Sequence, residues 1–223
     1  VEGLTEAGHY VSARDVAVIA MHIIEDHPNF YPIYSVRQYT YNNIKQDNRN
    51  MLLGRDPTVD GMKTGHTEAA GYCLISSAQR DFPNGKRRLL AIVMGADSSV
   101  SRANESQKLL NWGYTAFDAV KLFEVGQSVD TPAVWKGKAS QLKIGRPEAI
   151  VVAVPSGSAG KLTTQIVRPD PLVAPFSQGQ AIGTLKVVLG DQTVREVPLV
   201  ALEAVEQAGL LGRAWDGIRL WIK

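Results

Sequence analysis

The sequence predicts a mixed α/β domain with an antiparallel sheet, then a small all-β, sandwich-like domain, then a C-terminal amphipathic helix. Three observations predict this. One capped helical segment precedes three strand-like runs between residues 58 and 96. After Phe123, short apolar runs alternate with Gly, Pro, Ser and Asp at close spacing, as in all-β domains. The last sixteen residues, "AGLLGRAWDGIRLWIK", sort into an apolar and a charged helix face. With 223 residues, 44% of them hydrophobic, the chain can bury one large core or two modest ones.

The first helix carries its own start and stop. In "SARDVAVIAMHIIEDHP", Ser12 can cap, Asp15 falls at the third helical position, and Pro28 ends the run. Val16, Ile19, Ala20, Ile23 and Ile24 recur at helical spacing and are its expected buried stripe. The next stretch, "FYPIYSVRQYTYNNIKQDNRNMLLGRDP", is rich in Tyr, Asn and Arg; it reads as a short helix or strand followed by a polar loop. "GYCLISSA" and "RRLLAIVMGA" flank "QRDFPNGK", whose Pro-Asn-Gly supplies the backbone angles of a tight hairpin. The segment before it, "VDGMKTGHT", is the expected third strand of one antiparallel sheet. A helix from about Ser98 to Val120 follows, with Ala103, Leu110, Tyr114 and Phe117 on one face. The domains expected are residues 1–117, 118–205 and the terminal helix 206–223.

On that helix Leu210, Leu211, Ala214, Trp215, Ile218, Trp221 and Ile222 share one face, and Arg213, Asp216, Arg219 and Lys223 the other. Two tryptophans with flanking cations suit a helix lying in a membrane interface. Packing of the helix on its own domain is the alternative, and sixteen residues do not decide between them.

Composition removes several function classes. Twenty-four basic against 22 acidic residues leave a net charge of +2, too little for a nucleic-acid-binding field. The single cysteine, Cys73, excludes an internal disulfide and is expected as inert core packing. No run of 18 apolar residues occurs, so no spanning helix is expected. The chain opens on "VEGL" without a signal peptide, which reads as a processed or incomplete front end. His9, His22 and His27 have no metal-ligand spacing and no cysteine pair accompanies them, so a zinc carboxypeptidase is disfavoured and no cofactor is expected.

Lys63-Thr64-Gly65 is the stretch that asks for chemistry. On a strand lining a cleft, Lys63 would aim an ammonium at the cleft floor, Thr64 would supply a hydroxyl, and Gly65 would leave room for a ligand's backbone. Together these suit a peptide carboxylate bound along a strand edge. A lysine on a solvated edge strand is the plain alternative.

"DGMKTGHTEAAGYCLISSA", "LLAIVMGADSSVSRANESQKLLNWG" and "YTYNNIKQDNRNMLLGRDPTVDG" closely resemble the low-molecular-mass penicillin-binding proteins that act as D-alanyl-D-alanine carboxypeptidases. The resemblance runs from Val1 to the terminal helix. It implies a transpeptidase-like α/β fold of the β-lactamase and penicillin-binding type, a second β-rich domain, and a terminal helix on the periplasmic face of the bacterial inner membrane. It also implies peptidoglycan stem peptides as substrate and β-lactam antibiotics as ligands. Lys63 is then the catalytic residue carried by this chain, and Lys63, Thr64, Gly65, His66 and Arg102 bind substrate. Arg102, in "GADSSVSR", would help hold the terminal carboxylate with its fork of donors, and His66 could donate a hydrogen bond at the rim. Asn48-Arg49-Asn50 match the family's "NRN" and are expected only to brace a loop.

The family uses Ser-x-x-Lys, Ser-x-Asn and Lys-Thr-Gly, and only the third is in place. Ser140 to Lys143 and Ser158 to Lys161 fit the first pattern but follow Lys-Thr-Gly instead of preceding it, and no Ser-x-Asn occurs. The chain therefore reads as the C-terminal part of a longer enzyme, inactive alone. A β-lactamase and a non-catalytic envelope-binding module are the two rival readings.

Overall fold

The structure is a computed structural model and describes residues 5–82 and 85–222. The opening "VEGL", the turn residues Pro83 and Asn84, the side chain of Ile222, and Lys223 lie outside the described residues. The chain divides into two compact units, Val1–Ala116 and Phe117–Lys223.

In the first unit, helix α1 (Ala13–Asp26) starts where expected. Ser12 Oγ accepts from the Asp15 amide at 3.1 Å while Asp15 accepts from the Ser12 amide at 3.3 Å. This reciprocal cap satisfies two amides that have no partner within the helix. Ala20 is buried and Val16, Ile23 and Ile24 are half-buried, but Ile19 is 57% exposed. The inward stripe is thus narrower than expected, because Ile19 faces away from the sheet.

A 3₁₀ turn (Tyr31–Ser35) leads to a hairpin of β1 (Gln38–Tyr41) and β2 (Ile44–Asp47), and then to the short helix α2 (Leu52–Arg55). The polar loop expected here is mostly that hairpin. It turns at Asn42 and Asn43, whose φ angles of 49° and 62° Asn tolerates better than most residues.

Strands β3 (Val59–Thr67), β4 (Gly71–Phe82) and β5 (Gly85–Ala96) form one antiparallel sheet in that order. Helix α3 (Ser99–Ala116) covers one face: Ala103, Leu110 and Tyr114 join Leu52, Leu53, Val59, Leu74, Ala78 and Ala91 in a core. Ala20 of α1, Tyr31 and Met62 form a smaller core with Ile75 and Leu90. The sheet is therefore the middle of three layers. The expected helix face ended on Phe117, but α3 stops at Ala116 and Phe117 opens a strand. Pairing with residues 150–155 overrides the local helical pattern.

The second unit contains β6 (Phe117–Phe123), β7 (Ser128–Asp130), β8 (Val134–Trp135), β9 (Ile144–Gly145), β10 (Ile150–Pro155), β11 (Leu162–Val167), β12 (Leu172–Val173), β13 (Ala181–Leu189) and β14 (Gln192–Ala201). A five-stranded sheet runs β11-β13-β14-β9-β7, β10 pairs with β6, and β12 runs parallel to β8. Ile150, Val152 and Val154 alternate inward along β10 and meet Leu142, Ile144, Leu185, Val187, Val197 and Leu199 in one core. Each such Leu or Ile, fully removed from water, contributes roughly 1.5–3 kcal/mol.

Helix α4 (Leu210–Ile222) closes the unit. Asp216 accepts from the Lys136 amide at 2.7 Å, and the Arg219 guanidinium lies 5.6 Å from the centre of the Trp135 ring. The charged face of α4 thus meets the domain, and Leu210, Leu211, Trp215, Ile218 and Trp221 are exposed.

Candidate functional site

Strand β3 buries Val59, Gly61 and Met62 and surfaces at Lys63. Its pairing sets Lys63 opposite Ile75, Thr64 opposite Leu74, Gly65 opposite Cys73 and His66 opposite Tyr72. Among the described residues β3 is an edge strand, and the edge gives an extended ligand backbone room to pair. Lys63 and His66 are exposed and Thr64 is half-buried. The Lys63 ammonium folds back to donate to the Thr64 carbonyl instead of standing over a cleft floor. The His66 and Tyr72 rings are 4.0 Å apart, which fixes the imidazole on its cross-strand neighbour.

Two cavities meet at this strand. One, of about 540 Å³, is mainly apolar and is lined by Tyr10, Val11, Val16, Ile92 and Met94 as well as by residues 63–67. The other, of about 630 Å³, is lined by Arg49, Lys63, Thr64, His66, Ser99 and Arg102, and among the described residues no carboxylate is on its wall. Three cations on one wall of a partly enclosed space raise the local potential and favour an anion.

Arg102 is 4% exposed and lies buried in the wall instead of on the surface. Nη1 donates to the carbonyls of Gly65 at 3.0 Å and Cys73 at 3.4 Å, and Nη2 donates to that of Arg49 at 3.4 Å. The guanidinium also lies 5.4 Å from the centre of the Tyr72 ring. Burial draws its pKa below the ordinary guanidinium value, yet such a group stays protonated at neutral pH. Arg102 therefore ties the first turn of α3 to the backbone of Gly65 while placing a fixed positive charge behind it. This brings all five predicted residues, Lys63, Thr64, Gly65, His66 and Arg102, to one cavity wall.

Two sequence readings need correction. Cys73 is half-buried instead of packed in the core: it lines the apolar cavity, and its Sγ donates to the Ala70 carbonyl at 3.4 Å. Its position opposite Gly65, where no side chain covers it, explains the exposure. Of the "NRN" residues, the two asparagines do brace a loop: Asn48 Oδ1 accepts from the Asn50 amide, and Asn50 donates to the Gly61 carbonyl, both at 2.9 Å. Arg49 instead lines the polar cavity. Its alternation with two inward asparagines was the available signal. Neither Ser140 nor Ser158 opens an α-helix; Ser158 precedes a three-residue 3₁₀ turn without a side-chain capping bond, and Lys143 pairs with Glu203 at 3.5 Å. Among the described residues no group of His, Cys, Asp and Glu is arranged to hold a metal, and no helix is long and apolar enough to cross a membrane.

Residues 1–98 match the family profile described as D-alanyl-D-alanine carboxypeptidase, and residues 117–207 match that of the penicillin-binding protein 5 C-terminal domain. The chain belongs to the D-alanyl-D-alanine carboxypeptidase family of penicillin-binding proteins. It is 38% identical over 222 residues to the carboxypeptidase DacC of Escherichia coli, covering 99% of this chain and 54% of that protein. It is also 38% identical to DacA of Haemophilus influenzae, covering 99% and 56%. The chain thus spans about half the length of the curated relatives it matches. Penicillin-binding protein 5 of Haemophilus influenzae superposes with a TM-score of 0.83 at 37% identity, over 92% of this chain and 59% of that one. The carboxypeptidase DacD of Francisella tularensis gives 0.61 at 29% identity, over 92% and 63%. The α/β unit with its antiparallel sheet and the following β unit are the fold of this carboxypeptidase family.

Proposed function

We propose that this chain is the C-terminal part of a serine-type D-alanyl-D-alanine carboxypeptidase, in which the wall formed by Lys63, Thr64, Gly65, His66 and Arg102 receives the end of a peptidoglycan stem peptide. The cationic cavity beside Lys63, which has no carboxylate among its described lining residues, carries the proposal. A substrate ending in D-alanine brings one carboxylate to that wall, and neutralising it in a partly dry site favours binding.

The Ser-x-x-Lys that carries the nucleophile is neither Ser140–Lys143 nor Ser158–Lys161, so on this reading the 223 residues alone are inactive. In the complete polypeptide the serine attacks the carbonyl of the last peptide bond, an acyl-enzyme forms as D-alanine leaves, and water hydrolyses the ester. The Lys63 ammonium stabilises developing negative charge and assists proton movement once it exchanges the Thr64 carbonyl for substrate. Thr64 donates its hydroxyl to the carboxylate, Arg102 adds charge from behind Gly65, and His66 holds the rim. β-Lactams present the same anion and acylate the same serine. The exposed apolar face of α4 fits a helix lying on the periplasmic face of the inner membrane.

A fluorescent penicillin tests this in the complete polypeptide. A carboxypeptidase retains the label, and Lys63→Ala abolishes labelling and release of D-alanine. Rapid turnover of the label would identify a β-lactamase, and no labelling would identify a non-catalytic module. Unchanged labelling and D-alanine release in Lys63→Ala would overturn the assignment of the site.

A further inference from the structure

Strand β3 enters the sheet through a bulge. Val59 pairs with Ala78 and Gly61 with Ser77, so Asp60 has no partner across the ladder. A bulge adds one residue to one strand, and side chains alternate between faces. Its presence therefore decides which face every later residue presents, beginning with Lys63 three positions on.

A set of side chains grips the bulged residue. Asp60 Oδ1 accepts from Tyr31 Oη at 2.8 Å and from Arg88 Nη1 at 2.7 Å. Arg88 stands on β5 and reaches across β4, where it also donates to Ser77 Oγ and to Gln79 Oε1. Its guanidinium lies 5.1 Å from the centre of the Tyr31 ring. One arginine thus clips all three strands together. The next residue has to be Gly61, because a Cβ there would lie 2.6 Å from Tyr31 Oη. Burial raises the pKa of Asp60, but the bonds from Arg88 and Tyr31 outweigh it and hold the carboxylate ionised; burial also pushes the Tyr31 phenol upward.

We propose that Arg88, Asp60 and Tyr31 are positioning residues, a clip that holds the β3 bulge and so fixes the faces from which Lys63 and Thr64 meet substrate. This rests on the function proposed above for those two residues. Stability alone is a poor reason for such a clip, since a half-buried ion pair recovers little beyond its desolvation cost and apolar side chains of similar size do as well. Register is a better one. From Lys63 to Thr67 the strand is exposed or half-buried, so packing does little to hold the register there, and a slip by one residue in this stretch exchanges the sides of Lys63 and Thr64.

The test uses Arg88→Met, Arg88→Lys and Asp60→Asn in the complete polypeptide, with rapid-mixing acylation by a fluorescent penicillin. Burst amplitude counts folded, competent molecules, and the rate reports positioning. Arg88→Met is expected to keep its amplitude but acylate about ten- to a hundredfold more slowly, the penalty of a misplacement near 1 Å. On a D-alanyl-D-alanine peptide kcat should fall while KM changes little, and Arg88→Lys should recover part of the rate. A lower melting temperature with an unchanged acylation rate in Arg88→Met would reduce the clip to a structural role and overturn the proposal. If the unaltered protein itself neither labels nor releases D-alanine, the proposed function fails, and amide exchange at residues 61–66 then judges the clip. Faster exchange there in Arg88→Met than in β4 or β5 supports it; equal exchange overturns it. Should Arg88→Met not fold, Arg88→Lys and Tyr31→Phe carry the same comparisons.

Discussion

Asp56 offers a prediction that can be worked in energy. It follows α2, and its carboxylate joins three elements. Oδ1 accepts from the amide and hydroxyl of Thr58 at 2.8 and 2.6 Å, and Oδ2 accepts from Arg80 of β4 at 3.1 Å and from Gln107 of α3 at 2.9 Å. Only 11% of the side chain is exposed. Burial raises its pKa, but the bonds from Thr58 and Gln107 and the Arg80 charge outweigh it and lower the pKa from 3.8 to about 2.

A folded pKa below the unfolded one means stability that is present above the unfolded value and lost as pH falls toward the folded one. The lowered pKa is worth about 2 kcal/mol at neutral pH, of which nearly half is gone by pH 3. Asp56→Asn removes the charge and turns an amide toward the donors of Arg80 and Gln107. The assay is thermal or urea unfolding of both proteins from pH 7 to pH 3. At pH 7 the variant should be less stable by about 2 kcal/mol, or roughly 8 °C for a unit of this size, and the gap should narrow by nearly half at pH 3. A gap that stays constant with pH would show that the carboxylate's charge contributes nothing, and the reasoning would fail.

Other substitutions give equally definite outcomes. Arg102→Lys loses the fork that serves Gly65 and Cys73 and should cost about 1–3 kcal/mol in thermal unfolding; a loss below about 0.5 kcal/mol would contradict the bonding described. Gly61→Ala should cost about 1–3 kcal/mol through its clash with Tyr31, and Tyr31→Phe should relieve part of that in a double-mutant cycle, whereas strict additivity would locate the clash elsewhere. Trp221→Glu should weaken sedimentation of the protein with phosphatidylglycerol vesicles by about tenfold; unchanged sedimentation would remove α4 from the membrane contact.

The sequence made some of this legible because the deciding contacts are local. The Ser12 and Asp15 cap lies within one turn, and the β4–β5 hairpin reads directly from alternation and turn residues. The β1–β2 hairpin was illegible because all eight of its strand residues are exposed; without a buried face there is no alternation to read, and only Asn42-Asn43 marks it. Helix α3 was read too long because Phe117 fits its apolar face, while its real partner, Pro155, lies 38 positions on. At the candidate site, Lys63 to His66 are consecutive, so one motif names them together, while Arg102 is named by the family resemblance. The grip on Asp60 was illegible, since Tyr31, Asp60 and Arg88 are each 28 or more positions apart and nothing local marks them as partners.

Helix α4 shows where periodicity stops and contacts decide. The spacing of Leu210, Leu211, Trp215, Ile218 and Trp221 establishes that two faces exist, but both a domain-packed and an interfacial helix have two faces. They differ in which face turns inward. A helix stabilised by its own domain buries its apolar stripe, as α3 does with Ala103, Leu110 and Tyr114. In α4 it is Asp216 and Arg219 that engage Lys136 and Trp135, while Leu211 and Trp221 each remain 89% exposed. Burying a side chain such as Leu211 is worth roughly 1.5–3 kcal/mol, and the helix forgoes that for several residues while its contacts with the domain include the Asp216 bond and the approach of Arg219 to Trp135. The membrane contact proposed for α4 would give that outer face a second apolar phase to enter. The Asp216 bond to a backbone amide would then set the angle at which the β unit meets that phase.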